Sequence, residues 1–402
     1  VNAIDNKMLS AYRYRIYPKQ EQEMWLKRSL FLLCNLYNKL RAEKIEEYKK
    51  NRKVLTQTDL RRLALEERRN DPELKSIHSQ VVQNVADRVH TAFKNFFEKR
   101  ARFPRNKPPK KYHSLTYPQS GFKVNPEKGL YLSGIGYIRI FVHRPICGKV
   151  SRLTIKYEAG QWYAIFIADR ENPEKQEIDL VPESRIRGID LGLEKFVTPD
   201  NAESIEYPRF LRASEEKIKA LQRRLAHKKK GSKRSRQICF SLAKLHLHIK
   251  RQREDFQNKL IHNIFKESDV LILEKLNVSS MLRNHRLAKS ISDASWNKFA
   301  IKAMFKAKML GKHTIFVDPW GTTQFCNKCL SWVPKELDDR EHTCPECGEK
   351  LDRDLNSALL IKRLGILSCP PSDGGSSLAE QVPLPSLRMM ASASIEAGSP
   401  RL

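Results

Sequence analysis

The sequence predicts a multidomain chain of α/β plus β-barrel class. An α/β domain occupies the second half, and a small N-terminal β-barrel, interrupted by a helical block, precedes it. Three observations carry this expectation. Residues 121 to 169 alternate apolar and polar positions with period two, residues 19 to 100 carry apolar residues at helical spacing, and residues 185 to 364 alternate short apolar strands with helices. A chain of 402 residues is long enough for two to four domains with their own cores.

The elements follow in order. Residues 7 to 17 (KMLSAYRYRIY) alternate Tyr12, Tyr14 and Ile16 with Arg13 and Arg15, the pattern of a half-buried strand with one basic face, and Pro18 ends it. Leu26, Leu30, Leu33, Tyr37 and Leu40 mark one helix and Val81, Val85, Val89, Ala92 and Phe96 another, in a block of roughly three elements. Lys99 to Lys111 holds seven basic residues, three prolines and no acid, so it reads as a basic linker. Leu153, Ile155 and Tyr157 followed by Trp162, Ala164 and Phe166 predict a hairpin around Glu158-Ala159-Gly160, and a turn is expected at Pro126 to Gly129. The early strand has no nearby partner and is expected to pair here, which makes the helical block an insertion. Residues 185 to 200 read as strand, turn and strand, and 214 to 262 as two long amphipathic helices around a basic centre with ten Lys or Arg between Lys217 and Arg236. A strand at Val270 to Glu274, a helix at about Asp293 to Leu310, a strand at His313 to Asp318 and a helix from about Leu355 to Leu364 complete the domain. The tail after Leu364, with eight Ser and five Pro, is expected to be disordered.

Composition narrows the function. The chain has 75 Lys+Arg against 46 Asp+Glu, a formal net charge of +29, and a pI near 9.8. Such an excess points to a polyanionic partner, nucleic acid first and an anionic membrane surface second. With 30 % charged residues and a mean hydropathy of −0.58, no segment approaches the ~20 apolar residues that cross a bilayer, so a membrane-spanning protein is excluded. No secretory signal is visible at the N-terminus, which makes the cytoplasm the expected compartment.

Cys326-x2-Cys329 followed after fourteen residues by Cys344-x2-Cys347 is the strongest local signal. Two such turns facing one another make a tetrahedral thiolate site for Zn²⁺, and with every position filled by sulfur the metal is structural. Cys34, Cys147, Cys239 and Cys369 read as inert, small apolar residues of a reducing compartment. Glu274 ends the run Val270-Leu271-Ile272-Leu273, apolar enough to be buried on both faces, and Asp190 ends the strand 186 to 189. Asp352 and Asp354 stand at the start of the last helix, where one of them is expected to cap it. Acids at two strand ends and one helix start suit a pair of Mg²⁺ ions clamping a phosphodiester. The rings of Phe93, Phe96, Phe97 and Phe103 are at helical or near-helical spacing and are expected in the core rather than under bases.

Together, GIDLG around Asp190, LEKLNVSSM around Glu274, LAKSISDASW at 287 to 296, the paired cysteines and DRDLNSA at 352 to 358 resemble the TnpB family of transposon-encoded RNA-guided DNA endonucleases, related to type V CRISPR effectors. YRYRIYPKQEQ and TAFKNFFEKRARFP at 91 to 104 resemble the same family's opening and helical domain, so the likeness spans about residues 8 to 364. It implies a RuvC-like (RNase H-like) nuclease domain with an inserted zinc ribbon and an N-terminal small β-barrel interrupted by a helical recognition block. Segment by segment, the implied layout is 1–17 the first strand of a wedge-like barrel domain, 18–110 helical recognition, 111–184 the rest of the barrel, 185–321 nuclease, 322–351 zinc ribbon, 352–364 the end of the nuclease domain and 365–402 tail. The resemblance places the catalytic, Mg²⁺-binding acids at Asp190, Glu274 and Asp354, and a phosphate-facing arginine at Arg340. Two departures stand out: Thr322-Thr323 replaces the usual Ser-Ser, and Leu330 stands where a glycine often follows the first cysteine pair.

The implied activity is Mg²⁺-dependent cleavage of double-stranded target DNA beside a short motif, directed by a guide RNA; the sequence leaves the oligomeric state open, with a monomer favoured. Lys99, Arg100, Arg102, Arg105, Lys107, Lys110, Lys111, Lys228, Lys229 and Lys230 are the expected nucleic-acid contacts. The alternatives are a cleavage-inactive RNA-guided repressor, disfavoured because all three acids are present, and an RNase H-like transposase, disfavoured by the cysteine unit between Glu274 and Asp354.

Overall fold

The computed structural model describes residues 7–368 apart from Pro126, Ala202 and Leu337. Pro126, Cys369 and nearly all of the tail therefore lie outside the described residues; the rest of the turn expected at Pro126 to Gly129 forms, with the Glu127 and Lys128 N–H groups donating to the Asn125 side chain. The chain divides after Glu171 into two compact units.

In the first unit, β1 (Lys7–Tyr17) leads into four helices: α1 (Gln20–Asn51), α2 (Gln57–Asn70), the single turn α3 (Pro72–Lys75) and α4 (Ser79–Phe97). Local chemistry sets their limits. Arg52 ends α1 in the left-handed region, Thr56 and Asp59 form a reciprocal cap on α2, and Asp71 caps α3 ahead of Pro72. Six strands follow, β2 (Ser114–Tyr117), β3 (Phe122–Asn125), β4 (Gly129–Leu132), β5 (Gly136–Phe141), β6 (Lys149–Glu158) and β7 (Gln161–Glu171). They join β1 in one antiparallel sheet of order β2-β6-β7-β1-β5-β4-β3. The expected hairpin forms with Leu153 opposite Phe166, Ile155 opposite Ala164 and Tyr157 opposite Trp162. As expected, β1 pairs within this sheet, running beside β7 and β5. Tyr14 and Ile16 from β1, Leu33 and Tyr37 from α1, Val85 and Val89 from α4 and Phe166 from β7 share one hydrophobic core. The helices thus lie between the first two strands in sequence and against the sheet in space.

Part of the aromatic expectation fails here. Phe93 is buried, but Phe97 and Phe103 are 67 % and 46 % exposed. The helix stops at Phe97, Lys99 turns the chain through a positive φ, and Phe103 folds back edge-on to Phe93 and Phe96 at the surface. Lys107 also separates from its basic neighbours. Its ammonium lies 3.9 Å from the centre of the Tyr37 ring, and its backbone is held on both sides by Asn38. Cys34 is buried as expected, whereas Cys147 and Cys239 lie at the surface, the latter on the solvent face of a helix.

The second unit is α/β, as predicted. Its elements are β8 (Ile186–Asp190), β9 (Lys195–Pro199), β10 (Ile205–Glu206), α5 (Phe210–Ala213), α6 (Glu215–Ala226), α7 (Lys233–Glu267), β11 (Val270–Glu274), α8 (Val278–Met281), α9 (Ala288–Ala294), α10 (Trp296–Leu310), β12 (His313–Val317), β13 (Glu341–Thr343), β14 (Lys350–Asp352) and α11 (Arg353–Leu367). The main sheet has the order β10-β9-β8-β11-β12, with β8, β11 and β12 parallel. The helix expected from Asp293 starts at Trp296 instead, because Ser295 takes a left-handed conformation and breaks α9 from α10. Asp293, 2 % exposed, accepts hydrogen bonds from Arg253 on α7 and from the Leu211 backbone, locking that break in place.

Every residue of β11 is buried. Leu271 and Leu273 join a core with α7 and α10, while Val270 and Ile272 join a second core with Ile361 of α11. Helices therefore cover both faces, and the acid-bearing face is the one under α11. Close approach of α11 requires glycine: a Cβ on Gly188 would lie 2.3 Å from the Ala358 carbonyl oxygen. No helix among the described residues is long and apolar enough to cross a membrane.

Candidate active site

Strand periodicity decides where the acids point. Ile189 is in register with Leu273 on parallel neighbours, so the next residues, Asp190 and Glu274, end adjacent strands side by side. Both share parity with Gly188 and Ile272, the residues that meet α11. Asp354 lies in the first turn of that helix. The three carboxylates thus gather at the carboxyl end of the parallel strands, under the start of α11, where open α/β sheets place their ligand sites.

Asp190 and Glu274 are 9 % and 8 % exposed. Burial pushes the Asp190 carboxyl up to about 8, and the negative charges of Glu274 and Asp354 push the same way, with Arg353 and the Leu191 N–H opposing them. Burial also raises Glu274, against a hydrogen bond donated by the Thr322 hydroxyl. Arg353 reaches Asp354 at 3.2 Å. Asp190, Glu274 and Asp354 thus form an acidic cluster in which Arg353 is the cation paired with Asp354.

Asp352 and Asp354 separate clearly. Asp352 caps α11, accepting from the Asp354 and Leu355 N–H groups at 2.9 and 3.2 Å, and pairs with Lys195 at 3.1 Å. Although partial burial opposes it, these contacts hold its carboxyl below the usual range. Arg340 lies alongside: its carbonyl accepts from the Arg353 N–H at 2.8 Å, and its guanidinium pairs with Glu194 at 2.9 Å.

The ligand atoms of Cys326, Cys329, Cys344 and Cys347 all lie within 4.8 Å of one another. The sulfurs of Cys326 and Cys347 are 3.7 Å apart and those of Cys329 and Cys344 3.4 Å. A tetrahedron of zinc–sulfur bonds has edges of about 3.8 Å, so the spacing fits zinc. Gly348 turns the second pair at φ +71°, and Leu330 takes the left-handed conformation (φ +62°) that favours the glycine often found there. Its side chain is buried with Phe325 and Leu360 in return. Asn356, fully buried, joins this unit to α11 by accepting from the backbone and side chain of Asn327 and donating to the Phe325 carbonyl.

Two contributors escaped the sequence reading. Thr322 entered only as a departure from a Ser-Ser pair, and Asn356 only as a letter of DRDLNSA at 352 to 358. A small hydroxyl residue preceding a metal-binding turn gives no sequence signal that it will reach a strand end 48 residues away.

Lys99, Arg100, Arg102, Arg105, Lys110 and Lys111 are exposed in the first unit, and Lys228, Lys229 and Lys230 in the turn between α6 and α7 of the second. That turn borders a cleft of about 530 Å³ lined by Arg224, His227, Lys228 and Arg234.

A solved structure shares the overall architecture. The chain matches the protein in a cryo-EM structure of a Cas12f1–sgRNA–target DNA complex over 89 % of its length and 99 % of that chain, with a TM-score of 0.56 and 14 % identity. The two chains share a fold. Among curated relatives, a protein of Streptomyces pristinaespiralis named "Putative RNA-guided DNA endonuclease" is 30 % identical, covering 90 % of this chain and 91 % of its own. The InsQ protein of Escherichia coli K12, named likewise, is 27 % identical over 90 % of this chain and 94 % of its own. Family profiles match at 173–285 (OrfB_IS605, "Probable transposase"), 296–361 ("Cas12f1-like, TNB domain") and 8–53 ("Helix-turn-helix domain"). The chain belongs to the TnpB family of transposon-encoded RNA-guided DNA endonucleases. Residues 8–53 do not form two helices about a turn; they form β1 followed by the continuous α1.

Proposed function

We propose that this chain is an RNA-guided, Mg²⁺-dependent DNA endonuclease that cuts double-stranded target DNA beside a short motif. The observation that carries the reading is the convergence of Asp190, Glu274 and Asp354, two of them buried, under the start of α11 in a chain 30 % identical to a relative named as such an enzyme. These three residues would hold the divalent ions. When bound, such ions supply the positive charge that lowers the pKa of water and offsets charge on the reacting phosphate. Thr322 fixes one oxygen of Glu274, and Arg353 offsets the charge of Asp354. Arg340, tied to the backbone at the head of α11, is the arginine we assign to the scissile phosphate, where its guanidinium stabilises developing charge.

The 322–351 segment is read as a zinc ribbon whose four-cysteine site braces Thr322 and the head of α11. The curled antiparallel sheet of the first unit is read as a barrel-like wedge domain, with α1 to α4 as the recognition helices that hold the guide–target heteroduplex. The exposed residues Lys99, Arg100, Arg102, Arg105, Lys110, Lys111, Lys228, Lys229 and Lys230 are assigned to RNA phosphates; Lys107, seated on Tyr37, is not. The cytoplasm suits a chain that keeps four closely spaced thiols for a metal.

Glu274→Gln preserves volume and removes the charge. It is expected to retain DNA binding and reduce cutting by several orders of magnitude, read by plasmid linearisation beside a gel-shift assay. The transposase description of the 173–285 profile gives the second reading its support. A product joined through a 3′-hydroxyl, rather than free cut ends, identifies it.

A further inference from the structure

We propose that Trp320 and Trp332 form a stacking shelf for one unpaired nucleobase of single-stranded DNA, placed beside the acidic cluster of Asp190, Glu274 and Asp354. The inference rests on the nuclease reading above and adds the form in which the strand is held there.

The two indoles are 52 % and 46 % exposed. Their planes lie 23° apart with ring centres at 5.9 Å, and Phe325 packs edge-on to Trp332 at 4.9 Å. Phe325 is itself buried, and it forms a β-bridge with Trp332. Gly321, at φ +74°, lets the backbone pass directly beneath Phe325: a Cβ there would lie 2.6 Å from the ring. The Trp320 N–H is tied to Asp318 at 2.8 Å. These rings are therefore anchored from below while their upper surfaces stay in water, an arrangement that hydrophobic burial does not explain.

The shelf is coupled to the candidate site through the chain. The hydroxyl of Thr322, two residues after Trp320, donates to Glu274 and lies 3.0 Å from the Pro319 carbonyl oxygen. Lys275, exposed beside Glu274, is bonded through its N–H to the Val317 carbonyl at 2.9 Å, just ahead of Asp318 and Trp320. A cation and two flat apolar rings beside the acids of the proposed nuclease site match the backbone and base of one nucleotide. The size of the patch selects against a protein partner. Between residues 311 and 368, Trp320 and Trp332 are the exposed large apolar side chains among those described. A stable protein interface needs roughly 800 Å² per side, and two indoles suit a single base. Stacking is indifferent to base identity, as required of an enzyme whose sequence choice lies elsewhere.

The test uses a single-stranded thymidine 12-mer carrying one 2-aminopurine, titrated into the full-length protein in buffer free of divalent ions. Binding is expected to quench the 2-aminopurine. Trp320→Ala and Trp332→Ala should lose most of the quenching and bind about tenfold more weakly, while the Phe variants keep an intermediate signal. A 12-mer bearing 5-bromodeoxyuridine, photocrosslinked to the unsubstituted protein, should attach at Trp320 or Trp332, a readout that needs no variant to fold. Equal quenching and affinity in well-folded Ala variants, or crosslinks confined to other residues, would overturn the shelf. The two readings fail separately. Quenching and crosslinks in a protein that never cuts DNA would leave the shelf standing without the nuclease, and cutting without quenching would leave the nuclease without the shelf.

Discussion

Replacing Asp190 by Asn should make the protein more stable, and only at neutral to alkaline pH in the absence of Mg²⁺. The buried carboxyl ionises at about 8 in the folded chain against 3.8 ordinarily. Full ionisation therefore costs the folded state about 6 kcal/mol, at about 1.4 kcal/mol per pH unit. Below about pH 4 the group is protonated in both states and contributes no difference. Between about 4 and 8 the unfolded chain gives up its proton first, so stability falls as pH rises, and above 8 the whole cost is present. Asn keeps the shape and removes the charge, but a buried amide still needs partners, so roughly 2–4 kcal/mol of the gain should remain. At about 2–4 °C per kcal/mol for a unit of this size, the variant should melt roughly 5–15 °C above the parent at pH 9. The gap should close by pH 5. Added Mg²⁺ should reverse the order, since binding to the folded state stabilises the parent alone. Differential scanning fluorimetry across this pH range, with and without Mg²⁺, provides the assay. A variant that melts at or below the parent at pH 9 without Mg²⁺ would refute the crowded-carboxylate account.

Cys344→Ser should abolish the one zinc per chain found by elemental analysis and leave the 322–351 segment open to protease, because the ~10–16 kcal/mol of structural zinc binding is also folding energy. Well-folded parent protein without zinc would contradict the assignment. Converting Lys228, Lys229 and Lys230 together to Gln should weaken guide-RNA binding and lower the slope of log affinity against log salt by about 2, as counterions bound at three phosphates are no longer released. Filter binding over a salt series measures both, and the melting temperature should stay unchanged because these side chains are exposed.

The strands were legible where burial on one or both faces leaves a rigid pattern. β1, the β6–β7 hairpin, β8–β9 and β11 fall where their alternation or apolar run predicts, because a slip of one residue exposes an entire apolar face. The cysteine unit was legible because metal geometry constrains spacing. Other features depend on contacts far apart in sequence. Nothing local marks Ser295 as a break; it lies two residues after Asp293, which is clamped by Arg253 forty residues earlier. Phe97 and Phe103 share helical spacing with buried Phe93, but the helix ends beneath them. Lys107 resembles its basic neighbours until Tyr37 and Asn38 are seen around it. In the candidate site, the positions of the three acids were visible as element ends. Their shared face under α11, and the choice of Asp352 as cap, came from register and packing.

The central claim is that RNA directs the cut. It is tested most directly by recovering the RNA that co-purifies with the protein, rewriting its targeting segment, and measuring cleavage of two plasmids that match the original and the rewritten segment. Cleavage that moves to the new plasmid, requires Mg²⁺ and is absent in Glu274→Gln is the predicted result. If the RNA-free protein cuts either plasmid at the rate of the complex, the RNA-guided account is wrong.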